Sequence, residues 1–188
     1  MYAVLGKGLW VVFVAAAAGL LRCHYGADWP NAVTAAALAL LCIDQGRMAY
    51  VDLRNIAQIG LDDSRVRRFA WVTAITIMLE LLGFYLAWRW LSLGVGLVIV
   101  SQLLFNTAAP VQLQPRTETP IAAVDQASRR GVLVANALAL GIILLGQWPA
   151  ARGASALGLL GLVAAYLAIK YWPAVAAPKA RSKTAETR

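Results

Sequence analysis

Apolar residues run along this chain in long unbroken blocks, and the charged residues fall between the blocks. The blocks are continuous and rich in Ala and Leu. They do not alternate at period two, so they read as helices rather than strands of a membrane barrel. Six spans are predicted: Leu5–Leu21, Ala32–Val51, Phe69–Leu91, Leu93–Ala109, Gly131–Trp148 and Ala154–Trp172. Each has 17–23 residues. At a rise of about 1.5 Å per residue each crosses a hydrocarbon core of about 30 Å, the shortest ones tightly.

The second span carries two alternatives. Only Ala32–Ile43 is cleanly apolar, and Asp44, Gln45 and Arg47 follow it. In one reading the helix continues through Val51 and Asp44 pairs with Arg47 one turn on. In the other a half-helix stops near Ile43 and residues 44–58 lie along the membrane surface, leaving five spans. Trp29 and Tyr50 bracket about twenty residues, as interfacial anchors do, and favour the spanning helix. The segment 110–130 has no helical period. Pro110, Pro115 and Pro120 mark it as a loop with a return toward the headgroups. Residues 1–172 form one transmembrane helical domain, and residues 173–188 a flexible basic tail.

Composition strengthens this picture. The chain has 188 residues, 61% hydrophobic and 14% charged, whereas soluble domains carry roughly 25% charged residues. The formal net charge is +8. On a soluble domain that would suggest nucleic acid. Here the basic residues flank apolar spans, so they set orientation and attract anionic lipid headgroups, and no nucleic-acid partner is expected. With six spans and both termini inside, fourteen Lys and Arg residues face the cytoplasm. Only Arg22, Arg89 and Arg152 face out. With five spans and the N-terminus outside, Lys7 and Arg22 exchange sides and the split is the same. The charge bias therefore orients the last four spans and the tail but is silent on the second. The fold class expected is an all-α polytopic bundle of three helical hairpins. Each outer turn holds a tryptophan: Trp29, Trp90 and Trp148.

Glu80 is the intramembrane charge common to every topology. It lies eleven residues after Phe69, roughly 16 Å along the helix and near the midplane. A carboxylate there is costly and faces the bundle interior or water. Thr73, Thr76, Gly83 and Ala87 share its face at helical spacing. Ser101 and Gln102 reach a similar depth on the fourth span. Asn106 and Asn136 sit nearer the cytoplasmic end. Glu80, Thr76, Ser101, Gln102, Asn106 and Asn136 therefore form a candidate polar seam. Two uses compete: Glu80 as a proton- or cation-binding carboxylate in a transport path, or Glu80 bonded to Gln102 as interhelical glue. Asp44 and Arg47 are a candidate ion pair. Arg65, Arg67, Arg68, Arg129 and Arg130 read as orientation signals and headgroup anchors.

Other chemistry is thin. Cys23, Cys42 and His24 are too few for a disulfide scaffold or a metal cluster, and no metal or cofactor is implied. His24 is expected to be an interfacial structural residue. The N-terminus resembles a signal peptide, but no small-residue cleavage site follows Leu21 and Arg22 precedes Cys23. There is no P-loop, dinucleotide fingerprint, H-E-x-x-H or nucleophile elbow. Gly153, Gly158 and Gly161 on the last span, and Gly94 and Gly96 on the fourth, suit close helix packing within or between chains.

The stretch Glu80-Leu-Leu-Gly-Phe-Tyr, with Ser101-Gln-Leu-Leu-Phe-Asn and Pro110-Val-Gln-Leu-Gln-Pro115, resembles multi-pass membrane proteins of cyanobacteria. The resemblance covers about residues 70–150 and implies no activity. It implies a plasma or thylakoid membrane and makes a photosynthetic-complex partner conceivable. The function expected from the residues is a non-catalytic integral membrane protein, an accessory or assembly subunit packed against other membrane subunits or itself. The alternative is a small oligomeric transporter or channel with Glu80 as its proton or cation site. The sequence leaves the small-molecule ligand open.

Overall fold

The computed structural model describes residues 2–115, 117, 119–124 and 126–176. Six α-helices follow one another: α1 (Tyr2–Cys23), α2 (Trp29–Ile59), α3 (Ser64–Ala87), α4 (Leu91–Ala108), α5 (Gln126–Leu145) and α6 (Arg152–Ala176). Five of them, all but α5, are long and apolar enough to cross a membrane. That is compatible with an integral membrane protein.

Helix α2 is one unbroken element of 31 residues, roughly 46 Å long at about 1.5 Å per residue. It runs straight through Asp44 and Arg47, so the half-helix alternative is not what forms. Pro30 occupies its first turn, where a missing N–H costs nothing. Gly60, with φ of 86°, ends it in a conformation that L side chains rarely adopt. Helix α3 starts at Ser64, five residues before the predicted Phe69. Asp63 caps it, its carboxylate accepting from the backbone N–H of Arg65 at 2.7 Å.

The segment 110–130 departs from the expected loop. Val111–Leu113 (β1) and Ile121–Ala123 (β2) pair antiparallel, Val111 opposite Ala123 and Leu113 opposite Ile121. Val111 and Leu113 are buried while Gln112 is exposed. That alternation is too short to stand out in a chain this apolar, and Pro110, Pro115 and Pro120 sit outside the strands. Asn55 of α2 donates to the Leu113 carbonyl at 3.1 Å and ties the hairpin to the bundle. The predicted tail also changes. Helix α6 continues to Ala176, and only 177–188 lie outside the described residues.

Consecutive helices pack as pairs: α1 on α2, α3 on α4, α5 on α6. Helices α2, α3, α4, α5 and α6 then close a ring, each touching the next and α6 returning to α2. Helix α1 lies outside, against α2 and α3. Glycines set the closest approaches. A Cβ on Gly46 would lie 2.6 Å from Phe13 of α1, and one on Gly83 would lie 2.7 Å from Val98 of α4. Gly94 is equally confined, by Ala87 at 2.5 Å, whereas Gly96 faces open space. The two ends of the bundle differ. At one end are the α1–α2, α3–α4 and α5–α6 turns with exposed Trp29, Trp88, Trp90 and Trp148. At the other are the α2–α3 turn and the β-hairpin.

Candidate functional site

The hairpin half of the ring is not filled. A cavity of about 620 Å³ lies between the C-terminal halves of α2, α4 and α6, the middle of α3 and the N-terminal half of α5. Helix α2 supplies Gln45, Met48 and Asp52. Helix α3 supplies Thr73, Thr76 and Glu80 at its own 3.6-residue spacing. Helix α4 supplies Gln102, Phe105 and Asn106; α6 supplies Tyr166, Ile169 and Lys170. Small residues of α5, Gly131 and Ala135, close the wall. Apolar surface dominates the lining, and its polar groups converge from four helices, the usual form of a small-molecule site.

Glu80 is 2% exposed and accepts a short hydrogen bond from the side-chain amide of Gln102. Asn106 donates to the Gln102 backbone carbonyl at 2.8 Å, continuing the line toward the hairpin. Thr73 and Thr76 are 2% and 5% exposed, and their hydroxyls have no hydrogen-bond partner. Both face the cavity. Asp52, half-buried, also faces it, and no hydrogen bond or ion pair holds its carboxyl among the described residues.

Lys170, the one basic side chain in the lining, is already committed. Its ammonium lies 2.6 Å from Asp44 Oδ2 and 2.9 Å from Oδ1. The Asp44 side chain is 2% exposed and that of Lys170 21%. Tyr166 donates to Asp44 Oδ2 at 3.1 Å, and Tyr171 donates to Oδ1. Arg47 reaches this network only through Tyr171, donating to its hydroxyl at 2.9 Å. The expected Asp44–Arg47 pair is therefore replaced by Asp44–Lys170. The two residues are three apart on α2, but Asp44 turns inward to α6 while Arg47 stays at the edge. Sequence distance hid this partnership, since Asp44 and Lys170 are 126 residues apart with three helices between their own.

Of the seam residues, Glu80, Thr76, Gln102 and Asn106 meet at this cavity. Ser101 does not. It is fully buried and donates to the Val98 carbonyl of its own helix at 2.6 Å, on the Gly94–Val98 stripe that faces α3. One residue further, Gln102 is turned by about 100° into the cavity. Asn136 borders an adjoining void of about 50 Å³ shared with Gln45 and Gln102, and its amide nitrogen is buried without a partner. Leu159 borders this void and a third one, of about 330 Å³, at the tryptophan end. That third void is lined by Asn31, Thr34, Ser92, Gln147, Arg152 and Ser155 among others. Three spaces therefore follow one another along the ring, with Val95, Ile99 and Leu159 standing between the last two.

The arginines divide by task. Arg65 pairs with Asp63 at 2.7 Å, and Arg67 donates to the Leu61 and Asp62 carbonyls. With Arg68 they are exposed at the α2–α3 turn. Arg130 is exposed too. Arg129 instead donates to the Asn106 and Ala109 carbonyls at 2.9 and 2.8 Å. It satisfies the open carbonyls at the end of α4, a structural duty that its place in a basic doublet concealed. His24, at the other end, bonds the Ala87 carbonyl through Nε2 at 3.0 Å. Asp52, Lys170 and Tyr166 were missed as site residues. Asp52 lies one residue beyond the end predicted for the second span, and Lys170 lies near the end of the last one, where a basic residue ordinarily reaches the headgroups.

No family model matches this chain, and neither a curated protein nor a solved structure is similar to it.

Proposed function

We propose that the protein is a small membrane transporter in which Glu80 is the intramembrane proton or cation site. One observation carries the proposal: Glu80, Asp52 and two unpartnered threonine hydroxyls face a single cavity of about 620 Å³. Interhelical glue alone needs only the Glu80–Gln102 bond. It does not need a second carboxyl that no hydrogen bond or ion pair holds among the described residues, and it gives no reason to keep a space open beside them. Buried hydroxyls without partners carry an energetic cost that binding of a polar ligand would remove. The succession of three spaces supports passage. Val95, Ile99 and Leu159 would act as an apolar constriction of the kind that gates by excluding water. By the positive-inside bias the hairpin end is cytoplasmic, so the cavity opens inward.

The rival reading is an accessory or assembly subunit of a larger membrane complex. It draws on Gly141 and Gly161, which face open space on α5 and α6, where another chain's helix would fit closely. Flux separates the two. Purified chain in proteoliposomes should dissipate an imposed proton or monovalent-cation gradient. Glu80→Gln should reduce the rate at least about tenfold, a loss of roughly 1.4 kcal/mol or more of site stabilisation, with its helical content unchanged. No flux from the wild-type chain under either gradient would overturn the transport reading and leave the accessory one.

A further inference from the structure

We infer that the cavity binds an organic cation, a protonated amine or onium group carried on an apolar body. The inference rests on the transport reading for its site and deepens it by naming the substrate class. Three features of the lining select that chemistry.

Charge is the first. Two carboxyls, Asp52 and Glu80, face the space, and the only ammonium there is held by Asp44. An anion would meet both carboxyls with Lys170 already occupied. A cation would meet the carboxyls of Asp52 and Glu80, which share with Asp44 the single positive charge of Lys170 in this lining. Burial in a low-dielectric site makes that difference decisive rather than marginal.

Size and surface are the second. A space of about 620 Å³ is within the range of drug-sized ligand sites, about 300–1,000 Å³. It is far larger than a bare ion requires. Met48, Ile77, Phe105 and Ile169 make much of the wall apolar. A hydrated metal ion gains nothing from such a wall, whereas a ligand's hydrocarbon body does. The ring of Phe105 adds a surface that attracts onium groups, whereas the Tyr166 ring already lies against the Lys170 ammonium at 5.1 Å.

The third is the arrangement of acceptors. Thr73 and Thr76 lie between the level of Asp52 and that of Glu80, on one face of α3, with both hydroxyls unpartnered. A protonated amine presents several N–H donors at once. It can engage a carboxylate and a neighbouring hydroxyl together, which a quaternary onium cannot, so amines should bind more tightly than onium ions of equal size.

The test uses the full-length chain in detergent, with ethidium as a fluorescent cation. Ethidium should bind saturably, and tetraphenylphosphonium should displace it. The anionic dye 8-anilinonaphthalene-1-sulfonate should not. Asp52→Asn and Glu80→Gln should each weaken ethidium binding at least about tenfold. Ala165→Phe fills the cavity without removing a hydrogen bond and should also block the dye. It keeps the test decisive if a carboxyl variant fails to fold. Equal binding by wild type and all three variants, or displacement by the anionic dye, would falsify the inference. Dye binding without any gradient-driven flux would retain the ligand class and remove the transport reading. Proton flux without dye binding would do the reverse.

Discussion

Between α1 and α2, and again between α3 and α4, glycine lets one helix backbone press onto its neighbour, and no room is left. At the hairpin end of α2 and α6 the contact is of another kind: a buried carboxylate, an ammonium and two phenols span a gap that is otherwise cavity. In the first region many small van der Waals contacts share the stabilisation, and each tolerates little change of shape. In the second a few strong polar bonds carry it, and the space between them is free to be filled. Neither device depends on hydrophobic drive between helices, which a membrane interior would supply only weakly. Only the second leaves a place for a ligand. It also concentrates the hairpin-end attachment of α6 to α2 on one carboxylate, whereas at the tryptophan end Arg152 pairs with Asp28 and Gly153 packs on Trp29, so the C-terminal half of α6 is the part whose position a single event could change.

The sharpest way to break that comparison is to remove the carboxylate. Asp44→Ala leaves Lys170 facing two phenols with no counter-charge. Deleting one partner of a buried ion pair costs about 3–5 kcal/mol. A value near the lower end is expected here because Lys170 is partly exposed. Thermal unfolding in detergent would measure it. The paired change Asp44→Leu with Lys170→Met should recover most of the loss, since no charge is then stranded. If Asp44→Ala unfolds no earlier than wild type, the α2–α6 contact does not depend on this network.

The packed region should answer to volume instead. Gly94→Ala puts a methyl group 2.5 Å from the Ala87 side chain and its backbone nitrogen, where neither helix can give way. Overpacking of this kind costs about 1–3 kcal/mol. Gly96→Ala, two residues along the same helix but facing open space, should instead stabilise by up to about 1 kcal/mol through helix propensity. Equal responses from the two sites would mean that the glycine contact does not hold α3 to α4.

Much of the helical frame was legible because its pattern is the one a bilayer would impose. Long apolar blocks, flanking basic residues and interfacial tryptophans are what helices of this length display whatever their partners. Glu80 and Gln102 were legible together because depth along two adjacent helices can be counted. What stayed hidden depended on helix rotation and on contacts distant in sequence. Ser101 and Gln102 are neighbours in the chain, yet one faces α3 and the other the cavity, and depth alone does not separate them. Asp44 found Lys170 rather than Arg47 because α6 returns to α2 across the ring, a closure no local spacing reveals. Asp52 carries no local signal because the apolar pattern of the second helix fades by Val51, although the helix runs on to Ile59.

The smallest effect is expected from a charged device that lies outside both regions, at the exposed α2–α3 turn. Asp63 caps α3, and the Arg65 side chain bonded to its carboxylate, with the Arg65 backbone N–H, holds its pKa down at about 2. A carboxyl depressed below its ordinary value favours the folded state above that value, and the benefit is lost as pH falls through the folded pKa. Its contribution should therefore be complete above about pH 4 and gone by about pH 2. Asp63→Asn keeps a capping side chain but removes the charge. The melting temperature of wild type should exceed that of the variant slightly at pH 6, and the difference should close as the pH approaches 2. Because the pair is solvent-screened at the α2–α3 turn, the difference should be far smaller than that of Asp44→Ala. A drop as large as the Asp44 one would show that an exposed charge at a turn matters as much as the buried network, and the importance of burial to the Asp44 carboxylate would fall with it.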